Sequence, residues 1–485
     1  MLAFAIPLGV YVASLRPGIA GWDTAELQTV PWMLGIPHPS GFPAYVLIGW
    51  LWSHVVPFGG VAYRMNLLSA FGMALAAATI VGIAYEWEIE PVFGLGAALV
   101  FAFTRVPWDR ATFADVHPLA LAVCGCGFWA ATRWVRTGAP RTLMLAAVAA
   151  AFALGIHSGM ILVVPGIALA ALARRPSRTQ TFATIGLGIA LVAACYAYLP
   201  IRSAIVFAQR RDPTLALGLA PGRPFWDNDH PASLAGFVRE VSGGDFGTGR
   251  ALRSIFDPRV LAELPVRYGA AAIGDVAGGI VLIALIGAFV VLRGQRLAGI
   301  GLLASGMLPV FFVLAYPAES DPERYFLPSY WMIAVFLCAG TNMLARAGMA
   351  QPPRSVIALV GGLFVFVAGV NVVADRDKFL APSGTTEQPF IDRVIALTPP
   401  HAVIVAPWIS ATTLAYGAYV EHRFGDRILV TGWPWDYEHD YARWLRSRPV
   451  IVIYDRTLGA LPGIKATDID PLGSGARIFA LEAQS

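Results

Sequence analysis

The sequence predicts an all-α, multi-pass membrane protein that ends in a small α/β domain. Of its 485 residues, 57% are hydrophobic and only 14% are charged, so the chain is far more apolar than a soluble domain of any fold. Apolar runs recur up to residue 374, and from about Asp375 the composition becomes that of a water-soluble chain. We therefore predict a membrane domain at 1–374 and a soluble domain at 375–485.

The apolar runs predict about eleven membrane crossings. The first run, from Leu2 to Leu15, lacks the basic segment and the cleavage site of a secretion signal, so we expect a retained helix. It has about 14 residues where ~20 cross a bilayer, so either Arg16 snorkels or the natural start lies upstream. The run from Pro43 to Val56 is predicted to be interfacial or re-entrant. The predicted crossings are 2–15, 61–84, 91–104, 118–135, 142–155, 159–173, 179–199, 270–292, 297–316, 328–346 and 354–373.

Arginine-rich short loops predict the orientation of these crossings. They all fall on one side of the membrane, which the positive-inside rule makes the cytoplasm. These loops hold Arg133, Arg136, Arg141, Arg174, Arg175, Arg178, Arg293, Arg296, Arg346 and Arg354. The extracytoplasmic face then receives the C-terminal domain and five polar segments, an arrangement that suits a membrane enzyme with an outward-facing cleft. The segments are the first outer loop 16–60, the stretch 105–118, the turn at His157, the large outer loop 200–269 and the stretch 315–326.

The C-terminal domain is predicted to be a compact α/β unit with a parallel sheet. HAVIVAP, RILVTG and PVIVIY have the pattern of short buried strands, and helical segments lie between them. The domain has no glycine-rich phosphate loop, so we assign it no nucleotide. The net charge of +4 comes from scattered arginines, which argues against nucleic acid as a partner. All four cysteines lie in apolar runs, so we expect neither disulfides nor a zinc site.

Asp23 and Glu26 are the first candidates for catalysis. They lie between two apolar runs, where carboxylates are costly unless they have a function. Their spacing also fits a capping box, with Asp23 as N-cap and Glu26 reaching back to it. On one helix face the two carboxylates would be about 4.5 Å apart along the axis, close enough to share a proton or a cation. We therefore expect the capping geometry to hold a catalytic pair in place.

Several further polar residues are candidates for binding substrate or a lipid phosphate, and each has a structural alternative. His38 lies in the turn HPSGFP, and His157 could be a satisfied buried histidine. Arginines at a membrane edge recognise phosphate, but they also snorkel or pair with acids. The loop around Asp109 and His117 is either a second wall of the cleft or a solvated surface. The candidates from these segments are His38, Arg110, Asp115, His157, Arg202, Arg324 and Tyr325.

The segment DTAELQTVPWMLGIPHPSGFPAYVLIGWLW, with YRMNLLSA after it, resembles the signature of domain of unknown function 2723. That family is associated with the transmembrane-260 type of protein O-mannosyltransferase. Its D-S-G-E, L-G-I-x-H-P-P-G-Y-P and R-x-N-x-x-S motifs correspond to Asp23–Glu26, Leu34–Pro43 and Arg64–Ser69. WDRATFADVHPL is similar to a further motif, W-x-x-A-x-x-A/E-E-V-Y-x-L, and HSG, YLPIRS and ERYFLPSY also agree. The chain departs from the pattern at Thr24-Ala25, at Ser40 and at Asp115-Val116-His117, where Ser-Gly, Pro and Glu-Val-Tyr are usual.

The resemblance implies a GT-C bundle that uses a polyprenyl-phosphate sugar, with a catalytic aspartate in the first outer loop. On this resemblance Asp23 would be the base and Glu26 its helper. The matched motifs add Arg64, Asn66 and Trp108 to the residues expected to bind substrate or lipid phosphate.

We therefore expect an inverting glycosyltransferase of a bacterial-type inner membrane. It would move mannose or another hexose to a protein Ser/Thr hydroxyl. Its partners would be the lipid-linked donor, a protein or glycan acceptor and the bilayer. We expect no obligatory cofactor, although the carboxylates could hold Mg²⁺ or Mn²⁺. The alternatives are a lipid-linked glycan flippase, or a transferase that acts on a glycolipid or cell-wall polymer.

Overall fold

The computed structural model describes most of the chain as helix, with one small sheet near the C-terminus. It describes residues 1–222, 226–244, 258–259, 262, 278–314, 321–346, 349, 351–379, 386–471 and 475–484. Much of the predicted large outer loop, the start of the predicted crossing 270–292 and residues 315–320 lie outside the described residues.

The α-helices are numbered here in chain order. They are α1 (Leu2–Ala13), α2 (Trp22–Met33), α3 (Pro43–Val55), α4 (Val61–Glu86), α5 (Pro91–Ala102), α6 (Arg105–Ala111), α7 (Val116–Thr137), α8 (Pro140–Ile156), α9 (Val164–Leu172), α10 (Arg178–Ala208), α11 (Leu234–Ser242), α12 (Gly278–Gly294), α13 (Arg296–Leu314), α14 (Leu327–Arg346), α15 (Arg354–Ala374), α16 (Arg376–Phe379), α17 (Gln388–Leu397), α18 (Trp408–Ala415) and α19 (Glu438–Trp444). The strands are β1 (Val403–Ala406), β2 (Ile428–Thr431), β3 (Val450–Tyr454), β4 (Ile464–Asp468) and β5 (Arg477–Ala483).

Six helices of the described chain are long and apolar enough to cross a membrane. They are α4, α7, α10, α13, α15 and the helix Pro322–Arg346, which contains α14. The pair α5 and α6 is bent by 71° and passes the same test as one broken span. Shorter apolar helices are Leu2–Ala13, Pro140–Ile156, Ser158–Leu172 and Gly278–Gly294. The chain is therefore a multi-pass membrane protein.

Contacts within the chain divide it into two compact units. The bundle unit comprises Met1–Leu15, Asn66–Tyr196 and Gly243–Ser383, and the sheet unit comprises Arg16–Met65, Ala197–Ser242 and Gly384–Ser485. The first outer loop and the C-terminal sheet thus belong to the same unit. The predicted domain boundary at residue 375 stays a prediction.

Glycines allow the helices of the bundle unit to approach very closely. A Cβ on Gly287 of α12 would lie 1.8 Å from the carbonyl oxygen of Phe336, and one on Gly340 of α14 would lie 2.0 Å from that of Ile283. Such distances leave no room for a side chain, so backbone meets backbone at this crossing. Small residues at helix contacts are typical of membrane bundles, where burial of apolar surface gives little drive for association.

The sheet unit contains one mixed five-stranded sheet in the order β2-β1-β3-β5-β4. The strands β1, β2 and β3 are parallel, as expected from their spacing by helices. β4 and β5, absent from the sequence prediction, add an antiparallel hairpin at the β3 edge. α18 packs against α2, and Glu387 N–H donates to the carbonyl of Ile19 at 2.9 Å, so the C-terminal region is built onto the first outer loop.

One local prediction is wrong. The capping box does not form, because α2 begins after Gly21, which makes no side-chain cap, and Asp23 lies inside the first turn. α10 continues through Pro200 to Ala208, beyond the predicted end of the crossing at residue 199. Proline is tolerated in long membrane helices because neighbouring groups satisfy the freed backbone.

Gly287→Val tests the close helix crossing. The new side chain cannot fit against the Phe336 carbonyl, so the helices must separate, at a cost of about 3 kcal/mol or more. We expect a lower yield of monodisperse protein and a lower unfolding temperature in detergent. Gly186→Val in α10 is the matched control, because nothing lies within 4 Å of its Cβ position. Equal losses in both variants would mean that valine in a helix, and not the crossing, causes the effect.

Candidate active site

Asp23 and Glu26 lie one turn apart on α2 but in different surroundings. Asp23 is partly exposed in the first turn, whereas Glu26 is 1% exposed. An ionised carboxylate can be buried so completely only when hydrogen bonds replace its water. The two carboxylates therefore differ in their access to solvent.

His38 supplies the hydrogen bonds of Glu26. The His38 backbone N–H donates to Glu26 Oε1 at 3.0 Å, and the ring Nδ1 makes a short contact with Glu26 Oε2. Edge-on aromatic contacts hold the imidazole further, from Phe42 at 5.0 Å and from Trp408 of α18 at 5.6 Å between ring centroids. Glu26 thus fixes the HPSGFP turn to α2.

Arg202 binds the other end of α2. Its Nε donates to the carbonyl of Leu34 at 2.6 Å and its Nη2 to that of Met33 at 3.0 Å. These carbonyls have no partner inside the helix and carry partial negative charge, which a guanidinium satisfies. At 1.5 Å per residue they lie about 15 Å along the axis from Asp23. Arg202 therefore lies at the opposite end of α2 from Asp23.

A cavity of about 280 Å³ opens beside Arg202. Arg211 and Trp226, which the sequence did not single out, line it, and the indole Nε1 of Trp226 is buried without a hydrogen-bond partner among the described residues. The backbone of Trp226 also accepts from Ile36 N–H at 2.5 Å. The wall of the cavity and the turn that carries His38 are therefore parts of one hydrogen-bonded structure.

Arg64 has a structural role in the sheet unit. Its Nε donates to the carbonyl of Gly59 at 3.0 Å and its Nη1 to that of Ser53 at 2.7 Å, close to the end of α3. Like Arg202, it satisfies backbone carbonyls where a helix ends.

The bundle unit brings together a second set of predicted residues around Asp115. Asp115 caps α7, because its Oδ1 accepts from the backbone N–H of His117 at 2.8 Å and contacts the His117 ring Nδ1 at 2.7 Å. Arg110 lies 3.8 Å from Asp115 and makes a bidentate pair with Asp321, at 2.6 and 2.7 Å. The acid that replaces the family's usual glutamate is thus bound by the histidine that replaces its usual tyrosine.

His117 connects this cap to the aromatic side chains of the cluster. Its ring lies 4.6 Å from that of His157 and 5.2 Å from that of Tyr325, and its Nε2 is buried without a hydrogen-bond partner in the described part of the chain. His157 Nδ1 accepts from Gly159 N–H at 3.0 Å, so this histidine is satisfied within its own turn. The guanidinium of Arg324 lies 5.7 Å from the centre of the Tyr325 ring.

Electrostatics favour the ionised form of Asp115. Burial raises the pKa of this carboxyl, but His117, Arg110 and Arg324 together outweigh burial and hold the pKa well below its usual range. Asp115 is therefore a fixed negative charge at the start of α7, not a group that exchanges protons near neutral pH.

Asn66 and Trp108 are structural in the described geometry. Asn66 is fully buried, and its side-chain oxygen accepts from Ala114 N–H at 2.8 Å. Trp108 is also fully buried and donates its indole N–H to Ser14 Oγ at 2.9 Å. Neither of these two predicted substrate contacts is at a surface. Among the described residues, no three His, Cys, Asp or Glu side chains are placed to hold a metal ion.

Comparison with known sequences finds a family match over the part of the chain that contains Asp23, Glu26 and Asp115. Residues 23–181 match the model of the family described as the protein O-mannosyl-transferase TMEM260 N-terminal domain. The predicted resemblance is confirmed. Mouse protein O-mannosyl-transferase TMEM260 is 26% identical over 253 residues, 50% of this chain and 34% of that protein. The Dictyostelium discoideum tmem260 protein is 29% identical over 101 residues, 20% of this chain and 12% of that protein. The chain thus spans about a third of the mouse relative's length.

Solved structures with the same fold are GT-C glycosyltransferases. ArnT from Cupriavidus metallidurans, solved bound to undecaprenyl phosphate, has a TM-score of 0.59 at 11% identity, covering 99% of this chain and 97% of that one. The arabinofuranosyltransferase AftD from Mycobacteria has a TM-score of 0.54 at 13% identity, covering 99% and 41%. The Archaeoglobus fulgidus oligosaccharyltransferase has a TM-score of 0.53 at 12% identity, covering 93% and 67%. At these identities the likeness shows the fold alone.

Asp115→Asn tests the charged cap. The fold lowers the pKa of Asp115, so the ionised carboxylate adds its full contribution to the free energy of unfolding above the pKa of an unfolded aspartate, about 4. This contribution disappears as the pH falls through the lower pKa of the folded state. We expect the variant to lose about 1–3 kcal/mol at pH 7 and progressively less below pH 4. Unfolding temperatures in detergent between pH 7.5 and 3.5 measure this. Asp426→Asn, at a 71% exposed side chain, is the control, and a pH-independent loss at Asp115 would contradict the charged cap.

Proposed function

We propose that the chain is a membrane glycosyltransferase. It transfers mannose or another hexose from a polyprenyl-phosphate donor to an extracytoplasmic acceptor, a Ser or Thr hydroxyl of a protein. The family match and the mannosyltransferase names of the relatives support the reaction class. The undecaprenyl phosphate bound to the ArnT structure supports a polyprenyl donor.

The different environments of Asp23 and Glu26 carry the assignment of the base. Asp23 is the carboxylate that solvent reaches at the start of α2, while both oxygens of Glu26 are bound by His38. In our proposal Asp23 is the catalytic base. Glu26 and His38 are positioning residues that hold the turn beside α2, which replaces the earlier expectation of a catalytic carboxylate pair.

The proposed step needs one base and one stable leaving group. Asp23 takes the proton of the acceptor hydroxyl, whose oxygen forms a bond to the anomeric carbon of the sugar from the face opposite the phosphate. The bond between that carbon and the phosphate oxygen breaks, and its electron pair leaves with the polyprenyl phosphate. The configuration at the anomeric carbon of the sugar is thereby inverted. No nucleophilic side chain is required, because the departing phosphate is already a stable anion.

In the bundle unit we propose Arg324 as an arginine that binds the phosphate of the donor, as the sequence led us to expect. Arg324 is half-buried beside Tyr325 and Asp115, where a guanidinium can recognise phosphate oxygens in bidentate fashion.

We also propose an inner-membrane location with an extracytoplasmic active site. The six long helices, the bent pair and the four shorter apolar helices of the described chain support the eleven crossings of the topology. With that number, the arginine-rich short loops lie in the cytoplasm.

Asp23→Asn tests the base. The amide keeps the size of the side chain but cannot accept the proton, so we expect the transfer rate to fall by about 10²- to 10⁴-fold with unchanged expression. The assay follows radiolabelled mannose from polyprenyl-phosphate mannose into a Ser/Thr-containing acceptor protein, in purified membranes. The NMR spectrum of a glycopeptide cut from the product, with its sugar still attached, gives the anomeric configuration, which should be opposite to that of the donor.

Asp392→Asn is the control for this test, because that carboxylate is 53% exposed and pairs with an exposed arginine. Transfer at the wild-type rate by the Asp23 variant would reject Asp23 as the base. Retained configuration in the product would reject direct displacement and require a covalent intermediate.

Arg324→Lys tests the phosphate partner. Lysine keeps the positive charge but cannot form the bidentate contact, so we expect KM for the lipid-linked donor to rise about tenfold and kcat to fall. KM for the acceptor should not change. Arg296→Lys, at an exposed position at the start of α13, is the control. An Arg324 variant whose KM for the donor is unchanged would remove this residue from the donor site.

A further inference from the structure

Two exposed tryptophans stand parallel on the sheet unit, away from its core. Trp433 and Trp435 are 44% and 51% exposed, and their rings stack at 5.4 Å between centroids with 3° between planes. Tyr454, the last residue of β3, lies at right angles to both, at 6.1 and 5.8 Å. Large aromatic side chains so exposed on a soluble surface usually mark a binding site.

The backbone beneath these rings is fixed by hydrogen bonds. Trp433 N–H donates to Asp436 Oδ2 at 2.8 Å, and Tyr441 OH donates to the carbonyl of Pro434 at 2.5 Å. Tyr437 OH donates to the carbonyl of Thr431 at 2.7 Å. Because these bonds hold the segment between β2 and α19, the parallel rings lose little conformational entropy when something binds them.

We infer that Trp433, Trp435 and Tyr454 form a platform that binds a pyranose residue of a neutral glycan. The C–H bonds on one face of a pyranose carry slight positive charge and meet the negative face of an aromatic ring. Asp436, exposed beside Trp435, can accept hydrogen bonds from the sugar hydroxyls. The inference rests on the proposed transferase, in which this glycan belongs to the acceptor.

Charge favours a glycan over a membrane surface as the occupant. Tryptophan and tyrosine also gather where proteins meet lipid headgroups, but such contacts with anionic lipids are rich in lysine and arginine. Next to the platform, acidic side chains outnumber basic ones, a balance that an anionic bilayer repels. The acids are Asp436, Glu438 and Asp455, the base is Arg456, and Asp440 is paired with Arg443. Arg477, opposite Tyr454 in the sheet, is paired with Asp468.

Binding of neutral trisaccharides to the full chain in detergent tests the platform. We expect mannotriose, maltotriose or chitotriose to bind, as measured by calorimetry and saturation-transfer NMR. The affinity should fall at least about tenfold in Trp433→Ala/Trp435→Ala and less in Trp435→Phe, which keeps an aromatic face. His439→Ala is the matched control, since its side chain is 96% exposed in the same segment and outside the platform.

Asp23→Asn separates this inference from the proposed function, because it should bind the trisaccharide like wild type whether or not it transfers sugar. Failure of all three trisaccharides to bind wild type, or equal affinity in the double alanine variant, overturns the platform. A smaller share of tryptophan fluorescence quenched by brominated lipids in nanodiscs for the double alanine variant than for wild type overturns the glycan and identifies a membrane anchor instead.

Discussion

The buried contact between Glu26 and His38 is the interaction on which the sheet unit depends. A carboxylate at 1% exposure is tolerated because the amide and the ring of one residue satisfy both of its oxygens. The turn fixed in this way pairs through Ile36 with the backbone on either side of Asp227, and its histidine contacts Trp408 of the C-terminal region. One contact between a carboxylate and an imidazole thereby joins three separate stretches of sequence.

The length of the apolar runs, and the Gly, Pro and polar residues that separate them, were enough to predict most helices but not where those helices end. The break at His157 was predicted because Gly155 and Gly159 flank it, and the structure has a 3₁₀ turn there between α8 and α9. The predicted crossing 179–199 ends before Pro200, whereas α10 continues through this proline to Ala208, as long membrane helices can. The β4–β5 hairpin was missed because its strands, unlike β1 to β3, are only partly buried and mix charged with apolar residues.

The sequence could group candidate site residues that are close in sequence. It could not show which partners residues meet when the fold brings them together. Arg110, Asp115 and His117 were predicted to lie in one polar segment because they are close in sequence, but the sequence did not predict that Asp115 caps α7. Arg202 and Arg64 could not be told from phosphate-binding arginines. Helix-end carbonyls and phosphates both attract a guanidinium at a membrane edge, and only the folded chain shows which one it meets.

Charge neutralisation near a bilayer also limits what each predicted residue can do. Three contacts each compensate a charge that would otherwise be costly to bury. They are Arg110 with Asp321, Glu26 with His38, and Arg202 with the end of α2. A group compensated by two short hydrogen bonds must break them to bind substrate, which raises the cost of using it in catalysis. The proposed reaction has a leaving group that is already an anion, so it requires few accessible ionisable side chains. A polar cluster that is rich in ionisable residues can therefore be largely structural.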